Sequence, residues 1–367
     1  MNICYGSEAN TTLRLLGLLP MSGQGWIGGE AVLLPVKMAL HDINNDPRIL
    51  PGYNLTYNYI DTMCTEGVAV YRMFRELQAG LPYHMVLGDG CSTCSAATAQ
   101  VSYLWNLTQL NGSASALKLR GHLIEERKLS YGSSSPILSD RKRFPKFFRI
   151  VTPEQKVNEA RIQLMRKFDW NKVATIHQAL EFFSVVTDDF VRRASDLNVT
   201  IITQEIFVHD PMSRVKNLKE HDARIIMTAM YEDRARAVQC AAYKVGLYGA
   251  KIVWVFAGWF SRTFWLVKQD DIDCTPEQMA LVAEGAFFTS AVHFNPIEER
   301  GIHGMTVSEF LDRYYKDPDY NPDLEIYKVA FGQSYDHIWI AALALHCTDT
   351  ELRRRAIESV DSTKVNQ

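Results

Sequence analysis

The sequence predicts an α/β protein of two lobes, each an open parallel sheet flanked by helices. Two observations carry this expectation. Strand-like and helix-like periods alternate along the chain instead of segregating into separate runs, the pattern of parallel sheets covered on both faces. At 367 residues the chain also exceeds the size at which one hydrophobic core keeps growing, so two lobes of about 150 residues each are expected.

The elements follow in order. Residues 13–19 read as a buried strand, followed by a glycine-rich turn carrying Trp26 and a helix over 31–44, where Pro35 is tolerable only in the first turn. A strand over 54–60, a helix over 67–79 and a strand over 84–88 come next. Gly90-Cys91-Ser92-Thr93 then opens a helix predicted to reach Trp105. The second half repeats the logic: helix 158–168, strand 172–176, helix 182–197, strands 200–207 and 223–229, helix 233–248 and strand 251–257. The joint between halves falls near residues 148–150. Two open parallel sheets facing each other form a cleft lined by strand-end loops, which is where function is expected.

Composition narrows the class. With 47% hydrophobic residues, 22% charged and a formal net charge of -3, the chain is an ordinary globular protein with no electrostatic invitation to nucleic acid. The densest basic run, Arg141-Lys142-Arg143, reads as a solvated turn. No apolar run reaches the roughly 18 residues of a membrane span, and residues 338–345 read as core helix. The N-terminus lacks the charged and apolar regions of a leader, so an extracellular protein is expected to have its leader absent here. Five Asn-X-Ser/Thr triplets, at Asn10, Asn54, Asn106, Asn111 and Asn198, permit glycosylation in that compartment. Seven cysteines allow up to three disulfides. Their spacing gives no zinc pattern, and Cys91 with Cys94 lacks a second half.

Two hydroxyl-rich loops carry the chemistry: Gly90-Cys91-Ser92-Thr93 and Tyr131-Gly132-Ser133-Ser134-Ser135-Pro136. Serine at a helix start adds a hydroxyl to outward-pointing backbone N–H groups, a setting for a carboxylate or phosphate. Plain N-capping, worth about 1 kcal/mol, explains either loop alone. Two at successive strand ends favour an anion site. On the facing wall Tyr231 and Trp259 follow strands, and Trp26 does so on the first, so the three read as walls around a small ligand or as lobe core. A serine hydrolase is disfavoured because no G-x-S-x-G elbow exists and no histidine obviously pairs with Ser92 or Ser134. No motif suggests a metal or nucleotide enzyme, so neither catalysis nor a cofactor is expected.

At these residues the chain resembles the extracellular Venus-flytrap domain of the metabotropic GABA type B receptors, class C G-protein-coupled receptors, and within them the GABA-binding subunit. The resemblance spans residues 13–345. It rests on Leu19-Pro20-Met21-Ser22-Gly23 with Trp26, Gly90-Cys91-Ser92, Trp105-Asn106-Leu107, the Ser130 to Pro136 run, Arg143-Phe144-Pro145-Lys146-Phe147-Phe148-Arg149, Asp222-Ala223-Arg224-Ile225-Ile226 and Tyr335-Asp336 with Ile338-Trp339.

The resemblance implies a type I periplasmic-binding-protein-like fold. Lobe 1 takes residues 13–150 with 295–347 returning to it, and lobe 2 takes 151–294. It implies that Ser92 and Ser134 hold a ligand carboxylate, that Tyr231 closes over it, and that Trp26 and Trp259 pack on its chain. It implies disulfides Cys64–Cys91 and Cys240–Cys274, each removing about 3.5 kcal/mol of unfolded-chain entropy. It implies heterodimerisation through Tyr71, Phe74 and Gln78 of the second helix, whose alternative is ordinary lobe packing. A G protein would couple through a seven-helix domain that this chain lacks.

Three departures stand out. Ile150-Val151 occupies the place of a carboxylate-binding histidine, and Ala330 that of the glutamate taking the ligand's ammonium. Asp323 or Glu325 would substitute only after a shift of register. Residues 110–128 read as an insertion, and 348–367 as a divergent, disordered tail. The expected function is capture of GABA or a related amino acid by lobe closure. The alternatives are a partner subunit that binds no ligand and a free-standing amino-acid-binding protein.

Overall fold

The computed structural model describes residues 11–23, 25–102, 128–261 and 263–364. Among the described residues ten strands form two five-stranded sheets, every pair parallel. The first holds β1 (Thr11–Leu19), β2 (Tyr53–Asp61), β3 (Met85–Gly88), β4 (Lys128–Ser130) and β5 (Phe147–Arg149) in the order β2-β1-β3-β4-β5. The second holds β6 (Lys172–Gln178), β7 (Thr200–Phe207), β8 (Ile225–Ala229), β9 (Val253–Ala257) and β10 (Phe287–Thr289) in the order β7-β6-β8-β9-β10. Both sheets therefore use the same winding, with strand order reversing between the first and third strands of each. That reversal opens a crevice at the carboxyl ends of those strands. The two-sheet α/β architecture expected from the alternating periods is the one observed.

The strands form because their sequences are continuous apolar runs buried on both faces. Leu15, Leu16, Leu18 and Leu19 of β1 and Met85, Val86 and Leu87 of β3 are all but inaccessible to solvent. Helices α1 (Leu33–Asn45), α2 (Glu66–Gln78) and α3 (Ser92–Ser102) return the chain between strands of the first sheet. A single 3-10 turn (Glu30–Val32) precedes α1, and Pro35 falls in the first helical turn where its missing N–H costs nothing. Around the second sheet lie α4 (Asn158–Lys167), α5 (Glu181–Ser195), α6 (Met212–Glu220), α7 (Glu232–Val245) and α8 (Pro276–Ala283). Helix α7 stops earlier than periodicity suggests, because Gly246 takes the left-handed C-cap conformation at φ +70°.

After β10 the chain leaves the second sheet and adds α9 (Val307–Lys316) and α10 (Phe331–Lys364). Phe310, Tyr314, Phe331, Tyr335, Ile338 and Trp339 of these helices share one buried core with Leu15, Leu19, Leu87 and Leu129 of the first sheet. One expectation is corrected here. The segment from residue 348, read as a disordered tail, continues α10 to Lys364, and Asp349 accepts a hydrogen bond from the Tyr53 hydroxyl at 2.8 Å. The expected insertion at 110–128 lies outside the described residues except for Lys128, which opens β4.

Candidate functional site

A cavity of about 240 Å³ lies between the two sheets, walled by strand-end segments of both. Trp26, Gly90, Ser92, Tyr131, Gly132 and Ser134 come from the first sheet's loops, and Phe182, Tyr231 and Trp259 from the second's. The sequence-derived ligand residues Ser92, Ser134, Tyr231, Trp26 and Trp259 thus all border one space.

The two serine loops meet because both carry glycine at the point of contact. A Cβ on Gly132 would lie 2.9 Å from Gly90 Cα, and one on Gly90 would collide with the Trp26 ring at 2.3 Å. A disulfide between Cys64 and Cys91 fixes the residue before Ser92. Beneath the loops is a buried hydroxyl network. Ser130 Oγ donates to the Asp89 carbonyl at 2.8 Å and accepts from the Ser133 N–H at 2.9 Å, while Ser133 Oγ contacts the Asp89 carbonyl at 2.9 Å and Ser95 Oγ at 2.7 Å. From behind, the Arg149 guanidinium donates to the carbonyls of Ser133 and Ser135 at 3.2 and 2.6 Å.

This arrangement separates the serines of the 133–135 run. Ser133 and Ser135 are buried, whereas Ser134 is half-buried on the cavity wall and its hydroxyl has no protein partner among the described residues. Ser92, the first residue of α3, accepts the Ser135 N–H at 3.1 Å and keeps its own proton to donate. One expectation needs correcting: a helix start favours an anion at Ser92 but not at Ser134, which precedes only a 3-10 turn (Pro136–Ser139).

The facing wall is aromatic. Tyr231 caps α7 and packs edge-on against Phe183 at 5.1 Å and Trp259 at 6.0 Å between ring centroids. Its hydroxyl is buried beside Thr93 of α3, and burial holds its pKa well above the usual phenol value. Neither that hydroxyl nor the Trp259 indole N–H makes a hydrogen bond of good geometry among the described residues, a pairing deficit uncommon for buried polar atoms.

Two carboxylates reach the cavity, in different states. Glu154 is buried and paired with the Arg161 guanidinium at 2.9 Å; burial raises its pKa while Arg161 opposes the shift. Asp336, on α10, has no arginine or lysine partner among the described residues; the His303 ring lies 4.0 Å away with its own pKa lowered by burial, and desolvation pushes the Asp336 pKa up to about 6. Beside it on the same helix Gln333 donates to the carbonyls of Tyr131 and Val329 at 3.2 and 3.1 Å when its amide is oriented to satisfy them. The Gln333 oxygen then sits 3.3 Å from Nδ1 of His293, whose Nε2 lies 2.6 Å from Ser290 Oγ. Burial lowers the His293 pKa, so this imidazole is neutral at pH 7.

Sequence reasoning missed Asp336, Gln333, His293 and Glu154. A partial signal existed in the spacing of Ala330, Gln333 and Asp336, three apart and so on adjacent turns. Ile150, Val151 and Ala330, the departures noted in the sequence, line the cavity; Asp323 and Glu325 do not, both being exposed, with Glu325 bonded to the Tyr320 hydroxyl at 3.0 Å. Cys240 and Cys274 are also bonded, joining α7 to the segment before α8. On α2, Tyr71 is 61% exposed and Gln78 is exposed, while Phe74 packs partly against Leu16 and Leu18.

A model of the receptor family ligand binding region matches residues 31–367. Three curated relatives span 95% or 96% of the chain. The chain is 37% identical over 350 residues to gamma-aminobutyric acid type B receptor subunit 1 of Mus musculus and 34% over 360 residues to subunit 1 of Caenorhabditis elegans. It is 27% identical over 359 residues to subunit 2 of Homo sapiens. The chain covers 34%, 37% and 35% of those proteins, about a third of the length of each. The chain therefore belongs to the family of receptor ligand-binding regions, a family of binding domains and not of enzymes. Among the described residues no helix is long and apolar enough to cross a membrane.

Proposed function

We propose that this chain is the extracellular ligand-binding region of a GABA type B-like receptor and captures GABA or a related amino acid by lobe closure. In this reading lobe 1 comprises residues 13–150 and 295–347, and lobe 2 residues 151–294. The observation that carries it is the convergence of Ser92 and Ser134 from one lobe with Tyr231 and Trp259 from the other on one 240 Å³ cavity. The ligand carboxylate accepts hydrogen bonds donated by the Ser92 and Ser134 hydroxyls, charge-assisted and worth about 1.5–3 kcal/mol each. Trp26 and Trp259 pack on its carbon chain. Tyr231 meets it only when the lobes are together, so ligand shifts the open-to-closed equilibrium by its differential affinity.

The ammonium goes to Asp336. Of the two cavity carboxylates only this one lacks an arginine, and an uncompensated buried cation is costly. Asp336 thereby takes the place of the acid absent at Ala330. Closure is read by a partner subunit against Tyr71, Phe74 and Gln78, and a G protein acts through the remainder of the receptor.

A second reading, a partner-type subunit that dimerises without ligand, is favoured by Val151 and Ala330 on the cavity wall. Calorimetry of the whole chain with GABA and a panel of amino acids decides between them. Heat saturating at one ligand per chain is expected; a folded protein giving no heat with any of them supports the partner reading instead.

A further inference from the structure

Both sheets leave a long strand at an edge, and both edges carry a glycosylation triplet. Strand β2 contains Asn54, and Asn198 lies two residues before β7. The two settings differ. Asn54 is half-buried in a stretch whose neighbours are all engaged. The Tyr53 hydroxyl is bonded to Asp349 of α10, the Leu55 N–H to Asn44 Oδ1 at 2.8 Å and the Thr56 hydroxyl to the Leu13 carbonyl at 3.2 Å. Helix α10 reaches the start of this edge through Asp349.

Asn198 stands free of the body. It occupies the turn between α5 and β7 at φ +57°, a left-handed conformation that asparagine tolerates better than most residues. The turn itself is held, with the Asn198 N–H bonded to the Ser195 carbonyl at 3.0 Å and the Val199 N–H to the Ala194 carbonyl at 3.0 Å. Its side chain is exposed and without a hydrogen-bond partner among the described residues, and Thr200, which completes the triplet, is exposed as well.

The strand that follows is only partly guarded. Among the described residues β7 pairs with β6 alone, so its other edge has no strand partner there. Natural edge strands of that length are guarded by lysine, proline or inward-pointing charge. β7 reads TIITQEIF, with neither lysine nor proline. Its one acid, Glu205, is an inward charge, buried against the Thr203 hydroxyl at 2.9 Å, the Asn217 amide and Arg214, and a bulge at Ile202 adds a second guard. Beyond it Ile206 and Val208 are 48% and 61% exposed.

We infer that Asn198 carries an N-linked glycan and that this glycan shields the free edge of β7 from pairing with another chain. The inference rests on the extracellular reading above. Its test does not depend on ligand binding. The full chain is secreted from animal cells behind a supplied leader, and its tryptic peptides are mapped by mass spectrometry before and after enzymatic deglycosylation. The Asn198 peptide is expected to be occupied, Asn198→Gln to migrate faster by one glycan step, and Thr200→Ser to keep the parent's mobility. In sedimentation, Asn198→Gln is expected to self-associate at concentrations where the parent does not. An unmodified Asn198 peptide in the secreted protein overturns the site, and a variant no more associated than its parent overturns the shielding role. Because the leader is supplied, an empty Asn198 speaks against the site and not against the compartment, and calorimetry tests ligand capture separately.

Discussion

The two ends of the cavity are held by different means. The serine end is backbone geometry: glycines in contact, a disulfide, a buried hydroxyl network and Arg149 clamping two carbonyls fix the loops before any ligand arrives. The far end is side-chain chemistry on α10 and the segment after β10, where Gln333 and His293 lie 3.3 Å apart and the Asp336 carboxylate has one histidine, His303, 4.0 Å away. The comparison teaches that the proposed anion site is preorganised, whereas the proposed cation site is a half-open carboxylate without an arginine, which a ligand would complete.

The largest expected effect breaks the far end. Asp336→Asn keeps the shape and removes the charge, so GABA affinity by calorimetry should fall about 10- to 100-fold, the worth of one charged hydrogen bond. An unchanged affinity would return the ammonium to an unassigned partner.

Next comes a contrast within the serine end. Ser133→Ala strips the buried Asp89 carbonyl and Ser95 hydroxyl of a partner and should cost about 1–3 kcal/mol in denaturant unfolding. Ser134→Ala, at a hydroxyl facing the cavity, should stay within about 0.5 kcal/mol of the parent. Equal costs would erase the distinction between scaffold and ligand serines.

The acid itself gives a pH signature of smaller size. The folded-state pKa of Asp336 is raised from 3.8 to about 6, so the stability it contributes is full below the unfolded value and lost as pH rises through about 6. Its side chain keeps 59% of its surface open, so water screens the charge and the loss is modest. The melting temperature of the parent should therefore fall relative to Asp336→Asn between about pH 4 and 7. The opposite slope would mean a cation holds the group ionised.

The smallest effect sharpens how the lobes meet. Arg143, shortly before β5 of the first sheet, pairs with Glu181 at the start of α5 beside the second at 2.8 and 3.0 Å, both exposed. A double-mutant cycle with Arg143→Ala and Glu181→Ala should give a coupling of about 0.2–1 kcal/mol, vanishing at high salt.

How much of this was legible in the sequence follows the same division. The sheets were, because buried parallel strands are continuous apolar runs and their helices carry an independent period. That Ser92, Ser134, Tyr231 and Trp259 border one cavity was legible because they sit at strand ends, where the two sheets face each other. Which of three consecutive serines faces the cavity was not legible from composition, since it depends on Arg149 and Ser130 pulling Ser133 and Ser135 inward. Asp336 stayed hidden for a different reason. It lies on a helix more than two hundred residues from the Ser134 loop, and only the return of α10 to the first sheet brings the two together. The end of that helix was misread for want of a pattern, although Asp349 is anchored to Tyr53.

The central claim is that an amino acid docks its carboxylate on Ser92 and Ser134, and titration of GABA into the chain carrying both Ser92→Ala and Ser134→Ala tests it most directly. Two charge-assisted hydrogen bonds are lost, so affinity should fall at least about 100-fold in a protein that circular dichroism shows to be folded. Binding heat and affinity equal to the parent's would contradict the account.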